Sequence, residues 1–256
     1  MKKVVVLDKK EGETPLAALD KFKKKNLEYA KVPMTYAGRL DPLASGVLVV
    51  LAGEKIKDKE KYLALDKSYN FSVLFGFGTD TCDILGKVLA VDFDAEKKYK
   101  SMQDFALEIK KNLKYFEGKI KQKYPIYSSK TVNGKPLFSY ARSGESVKIP
   151  SKQVFIKKIV LEEVGKVNSK KLFYNIEKRI KKVEGDFRQK EILNIWRKKL
   201  LDKKEESVFN VANFNIECGS GTYVRQIASS LGEKMKIPAL ALSIKRTKVG
   251  RFKTTS

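Results

Sequence analysis

The order of the expected elements indicates an α+β or mixed α/β domain. Strand patterns and helix patterns follow one another in mixed order along the chain. With 256 residues, of which 42% are hydrophobic, the chain is long enough to bury a substantial core. We find no internal repeat and no low-complexity tract. These properties are typical of one large globular domain or two small ones.

The N-terminal part of the chain predicts two strands separated by a helix. A short strand is expected at residues 3–7. Thr14 before Pro15 is a helix start signal, and an amphipathic helix is expected from there to about Lys25. The run 47–52 is unbroken and β-branched, which predicts a buried strand.

The next part of the chain predicts a polar helix at 57–65 and an alternating strand at 69–76. A loop rich in Gly and Asp, FGFGTDTCDILG at 75–86, overlaps the end of this strand and follows it. A second helix is expected at 101–116, because its apolar residues recur at helical spacing. These apolar residues are Phe105, Ile109, Leu113 and Phe116.

The C-terminal half begins with a basic and aromatic segment, 124–150. Its turn signals Asn133-Gly134 and Ser143-Gly144 predict a protruding hairpin and helix. Strands are expected at 154–164, 171–177 and 208–218. The charged stretch 178–206 has apolar residues at helical spacing, namely Ile192, Ile195, Trp196 and Leu200. A last helix is expected to open at Gly221-Thr222.

The segment YAGRLDPLASGVLVVLAG places one carboxylate, Asp41, in a turn directly before the buried strand. Pro42 pushes Asp41 away from helical geometry, and Gly38 and Gly46 permit a tight path on either side. A polar turn beside a rigid strand can hold a reactive group still. An ordinary loop Asp that caps a turn has the same pattern.

The composition excludes several kinds of chemistry. The chain has no His, which excludes triads built on Ser-His or Cys-His pairs. Its two cysteines, Cys82 and Cys218, cannot form a four-thiolate zinc site and are expected to be free thiols in a reducing compartment. Neither a signal peptide nor a membrane span is expected. We therefore expect a soluble cytoplasmic protein with no membrane partner.

The charge of the chain favours a polyanionic partner. The formal net charge is +24, and Lys or Arg that neutralise phosphates release counterions. Aromatic residues on which bases can stack occur among the charges. They are Tyr124, Tyr127, Phe138 and Tyr140. A solvated basic surface and ordinary core aromatics remain the alternatives.

Four ordered segments resemble motifs of the TruB family of tRNA pseudouridine synthases. They are YAGRLDPLASGVLVVLAGE (36–54), DKSYNFSVLFGFGTDTCDILG (66–86), YPIYSSKTVNGKPLFSYARSGE (124–145) and GSGTYVRQIASSLGE (219–233). The resemblance covers most of residues 1–256. It implies a single pseudouridine synthase catalytic domain with a mixed, largely antiparallel sheet flanked by helices. It also implies that 124–150 is an RNA-clamping insertion.

The resemblance implies that Asp41 is the catalytic carboxylate, because it occupies the place of the catalytic Asp in Gly-x-Leu-Asp-Pro-Leu-Ala. Asp41 would act on the flipped uridine as a nucleophile or as the base that starts an elimination. Arg225 matches the Arg that pairs with this Asp, and an RNA phosphate contact is its alternative. Neither a metal nor a cofactor is expected. The implied substrate is the T stem-loop of tRNA, at position 55, and a monomer is expected.

Further site residues follow from the same resemblance. Tyr69 matches the Tyr that stacks on the flipped uracil and assists proton removal at C5, with a core-facing strand aromatic as the alternative. Tyr223 and Ile244 fall where the family lines its uracil pocket, although Leu is usual in place of Ile244. Tyr36 stands where many members have a His beside the flipped nucleotide, and Arg39 stands where a small residue is common.

Two further departures from the family pattern concern whole segments. Residues 178–206 are expected to be a basic helical insertion, either an RNA-contacting arm or a surface helix. The small C-terminal PUA-like RNA-binding domain of many members is expected to be absent, since the sequence stops at RTKVGRFKTTS.

Two other functions fit parts of the sequence. Asp80 and Asp83 could form a metal site or an acid-base pair of a phosphoryl-transfer or glycosidic enzyme, although this spacing is common in turns. A noncatalytic RNA-binding or RNA-folding helper that keeps the fold is the second alternative. Such a protein would not need Asp41, Tyr69 and Arg225 together.

Overall fold

A computed structural model describes residues 4–202 and 206–254. In these ranges the strands are β1 Val4–Lys9, β2 Met34–Ala37, β3 Ala44–Ala52, β4 Lys67–Phe75, β5 Phe77–Thr79, β6 Val88–Val91, β7 Gly118–Lys123, β8 Thr131–Val132, β9 Lys135–Pro136, β10 Ser151–Asn168, β11 Val208–Cys218 and β12 Ala239–Val249. The α-helices are α1 Pro15–Lys25, α2 Lys59–Leu63, α3 Met102–Leu113, α4 Leu137–Ser143, α5 Ser169–Ile180, α6 Gln189–Leu201 and α7 Val224–Met235.

The main sheet of the described residues has eight strands in the order β1-β3-β12-β4-β11-β10-β7, with β2 paired to β3. Strand β12 runs parallel to β3. The other neighbouring strands of this sheet are antiparallel. The predicted fold class, a mixed and largely antiparallel sheet flanked by helices, is confirmed. Small hairpins β5-β6 and β8-β9 lie beside the sheet.

Helices cover both faces of the sheet. On one face α3 and α7 pack on β4 and β11, and this core contains Phe71, Phe105 and Phe214. On the opposite face α5 and α6 pack over the β5 region and β11, where Trp196 and Phe209 are buried. Because successive strand residues point to opposite faces, β4 contributes to both cores.

Strand β3 is buried on both faces, as its unbroken apolar run predicts. Leu48 and Val50 pack against α1, whereas Val47, Val49 and Leu51 pack on the other side with the residues near α2. All of them have no exposed surface. A strand enclosed in this way is a rigid support for the loop that precedes it.

Most local predictions are confirmed. Thr14 caps α1 by accepting a hydrogen bond from the amide of Ala17, and α3 is followed by a 3-10 turn that ends at Phe116. Segment 124–150 forms the expected hairpin, with Asn133 and Gly134 both at positive φ, and the short helix α4. Position 3 of the first predicted strand lies outside the described residues.

The predicted strand at 171–177 is wrong, because these residues form the middle of helix α5. Leu172, Phe173, Ile176 and Ile180 recur at helical spacing and bury one face, and Asn168 caps the helix through the amide of Lys171. The final strand β12 was not predicted, although it is central to the sheet.

Helix α6 confirms the helical spacing predicted within 178–206, of which 203–205 lie outside the described residues. It is more than a surface helix, because the side chains of Ile192, Trp196 and Leu200 are buried in the core. The Trp196 indole also donates a hydrogen bond to the carbonyl of Ile84 at 3.1 Å. In the described part of the chain, no helix is both long enough and apolar enough to cross a membrane.

Candidate active site

Asp41 lies in a tight turn between β2 and β3. The amide of Ala44 donates to the carbonyl of Asp41 at 3.0 Å, which closes a four-residue turn with Pro42 at its second position. Gly38 enters this loop at φ +92°, a conformation that favours glycine. The local sequence thus determines the shape of the loop that presents the carboxylate.

Buried cations hold this loop against the sheet. The ammonium of Lys9 donates to the carbonyls of Pro42 and Ala44, at 3.2 and 2.5 Å. The guanidinium of Arg246 donates to the carbonyls of Val47 and Gly38, at 2.7 and 3.1 Å. Burial lowers the pKa of Lys9 to about 8, against partial compensation by nearby carboxylates. Strong donors to loop carbonyls restrict the movement of Asp41.

Gly46 is required where β3 meets β12. A Cβ at this position would lie 2.2 Å from the carbonyl oxygen of Arg246, and Gly46 has φ +100°. The close approach brings β12 alongside the start of β3 and places Ile244 opposite Ala44. The glycine that the sequence suggested for a tight path therefore also lets a distant strand complete the site.

Arg225 forms an ion pair with Asp41. Its Nε lies 2.8 Å from Asp41 Oδ2, and the Arg225 side chain is 3% exposed whereas that of Asp41 is 34% exposed. Burial alone would lower the pKa of Arg225, but the carboxylates of Asp41 and Asp83 outweigh it and the pKa is raised. The guanidinium therefore stays charged beside the carboxylate of Asp41, which still faces the cavity.

Backbone carbonyls fix the orientation of the Arg225 guanidinium. Nη1 donates to the carbonyl of Thr81 and Nη2 to the carbonyl of Tyr127, each at 2.8 Å. Three directional contacts from one planar group leave it little freedom to rotate. The loops that contain Thr81 and Tyr127 are therefore part of the support for Asp41.

Asp80 and Asp83 are held by different partners. Asp80 pairs with Arg188 at 2.8 Å, whereas Asp83 accepts hydrogen bonds from the Thr81 hydroxyl and the amide of Leu85. Burial raises the pKa of the Asp83 carboxyl, and Arg225 opposes the rise. Among residues 4–202 and 206–254 there is no group of three or more Cys, Asp or Glu side chains placed to hold a metal ion.

Asp41 lies in the wall of a cavity of about 670 Å³. This volume is in the range of protein sites that bind small organic groups. Every residue that the sequence proposed for the site lines it: Tyr36, Asp41, Tyr69, Tyr223, Arg225 and Ile244. The fold therefore brings together side chains from β2, β4, β12, the Asp41 loop and the start of α7.

Tyr69 lies on β4, where it packs in the core and also lines the cavity. Its location therefore fits both the expected stacking position and the alternative of a core-facing strand aromatic. The residue is 8% exposed. Burial raises the pKa of its hydroxyl, and the hydrogen-bonded guanidinium of Arg246 opposes the rise. Tyr69 is therefore a neutral phenol near pH 7, which offers a ring face for stacking and a polar hydroxyl group.

Tyr36 and Arg39, the departures from the family pattern, contact each other. Arg39 Nη2 donates to the Tyr36 hydroxyl at 2.9 Å. Tyr223 precedes the first residue of α7, and Gln122 binds both its amide and its carbonyl, at 2.9 and 3.1 Å. The Tyr223 ring packs edge to face on Tyr124, with ring centroids 5.9 Å apart. Tyr36 and Tyr223 are thus held in defined orientations.

Sequence reasoning missed a group of cavity residues. They include Lys67, Arg142, Phe187, Arg188 and Arg246. Arg142 was within reach, because its segment was already predicted to contact RNA through the aromatic residues Tyr127 and Phe138. The loop containing Phe187 and Arg188 carries no local signal, since its place in the site depends on the packing of α6 against a distant part of the chain.

The arrangement can perform carboxylate chemistry on a planar ligand. It combines an oriented carboxylate with a fixed countercharge and with tyrosine rings on the wall of the same cavity. A carboxylate held in this way can act as a nucleophile or as a base. The aromatic rings can hold a base that has left its own stack.

A family model described as TruB family pseudouridylate synthase (N terminal domain) matches residues 24–182. The tRNA pseudouridine synthase B of Lactobacillus acidophilus is 32% identical over 250 residues, which are 97% of this chain and 69% of that protein. The tRNA pseudouridine synthase B of Endomicrobium trichonymphae is 32% identical over 251 residues, covering 97% of this chain and 85% of that protein.

Solved structures show the same fold at lower identity. A Cbf5-Nop10-Gar1 complex contains a chain that matches with a TM-score of 0.54 and 20% identity, over 98% of this chain and 50% of that chain. A chain in the structure of an H/ACA RNP bound to a substrate RNA containing 2'-deoxyuridine matches with a TM-score of 0.53 and 18% identity. This match covers 98% of the present chain and 49% of that chain. The present chain thus spans about half the length of these structural relatives. By its family match and its curated relatives, the chain belongs to the TruB family of pseudouridylate synthases, which isomerise uridine to pseudouridine.

Proposed function

We propose that this protein converts uridine 55 in the T loop of tRNA to pseudouridine, with Asp41 as the catalytic carboxylate. The observation that carries the proposal is the Asp41–Arg225 pair at 2.8 Å in the wall of a cavity lined by tyrosines. The substrate class is supported by relatives that are named tRNA pseudouridine synthase B.

The reaction needs a carboxylate but no change of oxidation state. The bond between N1 of uracil and C1′ of the ribose breaks, the base turns, and a bond forms between C5 and C1′. The proton on C5 leaves, and N1 gains a proton. Asp41 acts either by attacking C1′ or by removing the C2′ proton to start an elimination, and both roles need the ionised form. The buried, charged guanidinium of Arg225 lies 2.8 Å from this carboxylate.

The remaining site residues hold the flipped base in this proposal. Tyr69 stacks on the uracil and supports the loss of the C5 proton, with Tyr223 and Ile244 as further walls. Tyr36 accepts a hydrogen bond from Arg39 and contacts the flipped nucleotide in the place where many family members have a His. Its side chain can stack and donate a hydrogen bond but, unlike a protonated His, carries no charge near pH 7. Unstacking the target costs a few kcal/mol, and contacts of the base with these rings offset it.

The RNA contacts are proposed to extend beyond the cavity. Phe138 and Arg142, on the helix of segment 124–150, line the cavity and would contact the T loop. The net charge of +24 supplies phosphate contacts and makes binding sensitive to salt. We propose that the protein acts in the cytoplasm, as a monomer, without a metal or cofactor.

The test is to map pseudouridine in an unmodified tRNA transcript after carbodiimide labelling, with a chelator present. Asp41→Asn is the matched variant, because it keeps the shape of the side chain and removes its charge. We expect one mark in the T loop with the wild type. We expect no mark with Asp41→Asn, while RNA affinity stays within about threefold.

The outcomes separate the alternatives. Near-normal product from Asp41→Asn would contradict the catalytic role of Asp41. Tight and salt-sensitive tRNA binding without any product from the wild type would favour the noncatalytic RNA-binding helper. Pseudouridine at another nucleotide would support the enzymatic activity but contradict position 55 as its target.

A further inference from the structure

We propose that Arg188, in the loop before α6, is a positioning residue that holds Arg225 in its catalytic orientation from outside the ion pair. The proposal rests on the proposed function, because its effect is measured on pseudouridine formation. Arg188 lies beyond residues 24–182, the part of the chain that matches the family model.

One guanidinium joins two separate loops. Arg188 Nη1 lies 2.8 Å from Asp80 Oδ2, and the same guanidinium lies 4.4 Å from the centre of the Tyr127 ring. The side chains of Arg188 and Asp80 are 23% and 16% exposed, so water screens their attraction only in part. A planar guanidinium can pair with a carboxylate and stack on a ring at once.

The same two loops hold Arg225 from the other side. Arg225 donates to the carbonyl of Thr81, the residue next to Asp80, and to the carbonyl of Tyr127 itself. Arg188 therefore connects the Asp80–Thr81 loop to the Tyr127 loop by contacting their side chains. Arg225 connects the same two loops by binding their backbone carbonyls. Movement of one loop changes one of the three contacts that orient the guanidinium facing Asp41, and movement of both loops changes two.

The loop that carries Arg188 is itself held in a defined conformation. Arg188 has φ +63°, in the left-handed region, and its amide donates to Asp186 Oδ1 at 3.2 Å. The Gln189 side chain accepts from the amide of Phe187 and donates to the carbonyl of Gly185, at 2.8 and 2.6 Å. Arg142 from α4 donates to the carbonyl of Asp186 at 3.1 Å. Arg188 thus presents its side chain from a fixed backbone.

The test compares single-turnover and steady-state kinetics on a tRNA transcript for the wild type, Arg188→Ala and Arg188→Lys. Misplacement of a catalytic group by about 1 Å can cost about a hundredfold in rate. We expect kcat to fall about 10- to 100-fold in Arg188→Ala with KM within about threefold. Arg188→Lys keeps the ion pair with Asp80 but not the planar stack, so we expect it to recover part of the rate.

Arg197→Ala is the matched control. Arg197 lies on α6, is 57% exposed and pairs with Glu177 at 3.5 Å, so its removal changes the net charge equally without touching the cavity. We expect its kcat to equal that of the wild type. Thermal unfolding of each variant shows whether a loss of rate comes from a loss of folded protein.

Repeating the Arg188→Ala substitution in the Arg225→Lys variant tests whether Arg188 acts through Arg225. In Arg225→Lys the ammonium can still reach Asp41, but it cannot also bind the carbonyls of Thr81 and Tyr127. Arg188→Ala should therefore lower the residual rate of Arg225→Lys less than twofold, because effects that act through one group do not add. A purely structural role of Arg188 would lower the rate by the same factor in both backgrounds.

The outcomes distinguish this proposal from the proposed function. Product from the wild type together with an unchanged kcat in Arg188→Ala overturns the role of Arg188 and leaves the proposed function standing. Equal losses in the two backgrounds, or a loss confined to KM, also overturn it. No product from the wild type overturns the proposed function and this inference with it.

Discussion

Replacement of Arg225 by Met tests whether a single buried guanidinium keeps Asp41 ready for catalysis. Met is unbranched and fills the space of the Arg stem, but it is shorter and removes the charge and all of the donors. The perturbed contacts are the ion pair to Asp41 and the hydrogen bonds to the carbonyls of Thr81 and Tyr127, each at 2.8 Å. We expect turnover to fall while tRNA binding stays close to normal.

The size of the effect follows from the burial of the two partners. Removing one partner of a buried ion pair costs about 3–5 kcal/mol. Asp41 is 34% exposed, so water replaces part of the lost contact and the cost is lower. We take about 2–3 kcal/mol as the lost stabilisation, which corresponds to about 30- to 150-fold in kcat.

The assay uses tRNA transcribed with tritium at C5 of uridine, because the C5 hydrogen is lost when C5 bonds to C1′. Single-turnover release of tritium with enzyme in excess gives the rate of chemistry, and filter binding gives the affinity. Arg225→Lys is the control, since it restores a charge near Asp41, and we expect its rate to lie between those of Met and Arg. A rate for Arg225→Met within threefold of the wild type would refute the reasoning, as would a loss found entirely in affinity.

Other expectations concern the stacking ring, the core and a buried thiol. Tyr69→Ala should lower the single-turnover rate about 5- to 150-fold, since base stacking contributes about 1–3 kcal/mol, and Tyr69→Phe should lower it less. Trp196→Ala should destabilise the protein by about 3–5 kcal/mol in urea unfolding, because the indole is fully buried. Burial raises the pKa of the Cys218 thiol to about 11. Its alkylation in the folded protein should therefore be slow near pH 8 and should accelerate as the pH rises toward 11, measured by mass spectrometry of its peptide.

Each of these expectations has a result that would contradict it. Equal losses for Tyr69→Phe and Tyr69→Ala would assign the effect to the hydroxyl instead of the ring. The exposed Tyr174 is the control for Trp196, and equal destabilisation by Tyr174→Ala would contradict the core role of α6. Alkylation of Cys218 at pH 8 as fast as in unfolded protein would contradict its burial.

The predicted and observed elements agree best where the sequence pattern acts through contacts between residues close together in the chain. Helix α1 begins as expected because the Thr14 hydroxyl binds an amide three residues later. Strand β3 is buried as expected because its β-branched run leaves no polar face. The strand expected at 171–177 is wrong, because Phe173, Ile176 and Ile180 recur at helical spacing and lie on one buried helix face.

For the candidate site, sequence reasoning named six of the cavity residues: Tyr36, Asp41, Tyr69, Tyr223 and Arg225 inside its four motifs, and Ile244 beyond them. It missed Arg246, whose guanidinium binds the carbonyls of Gly38 and Val47 within the sheet. It also missed Arg188, whose partner Asp80 is 108 residues away in the chain. No local pattern encodes such a contact, because it exists only after α6 has packed on the core.

The sequence by itself determined the catalytic inventory and the local geometry of the Asp41 turn. A chain without His must use carboxylates, tyrosines and cations, and Pro42 and Gly38 restrict the backbone through sterics that act within a few residues. The tertiary structure decided which groups meet that carboxylate. Arg225 is 184 residues from Asp41 in sequence and pairs with it because strand pairing and core packing bring α7 to the β2-β3 loop. Those forces depend on the whole folded chain, so the geometry of the ion pair, its carbonyl supports and the place of Arg188 are decided by the fold.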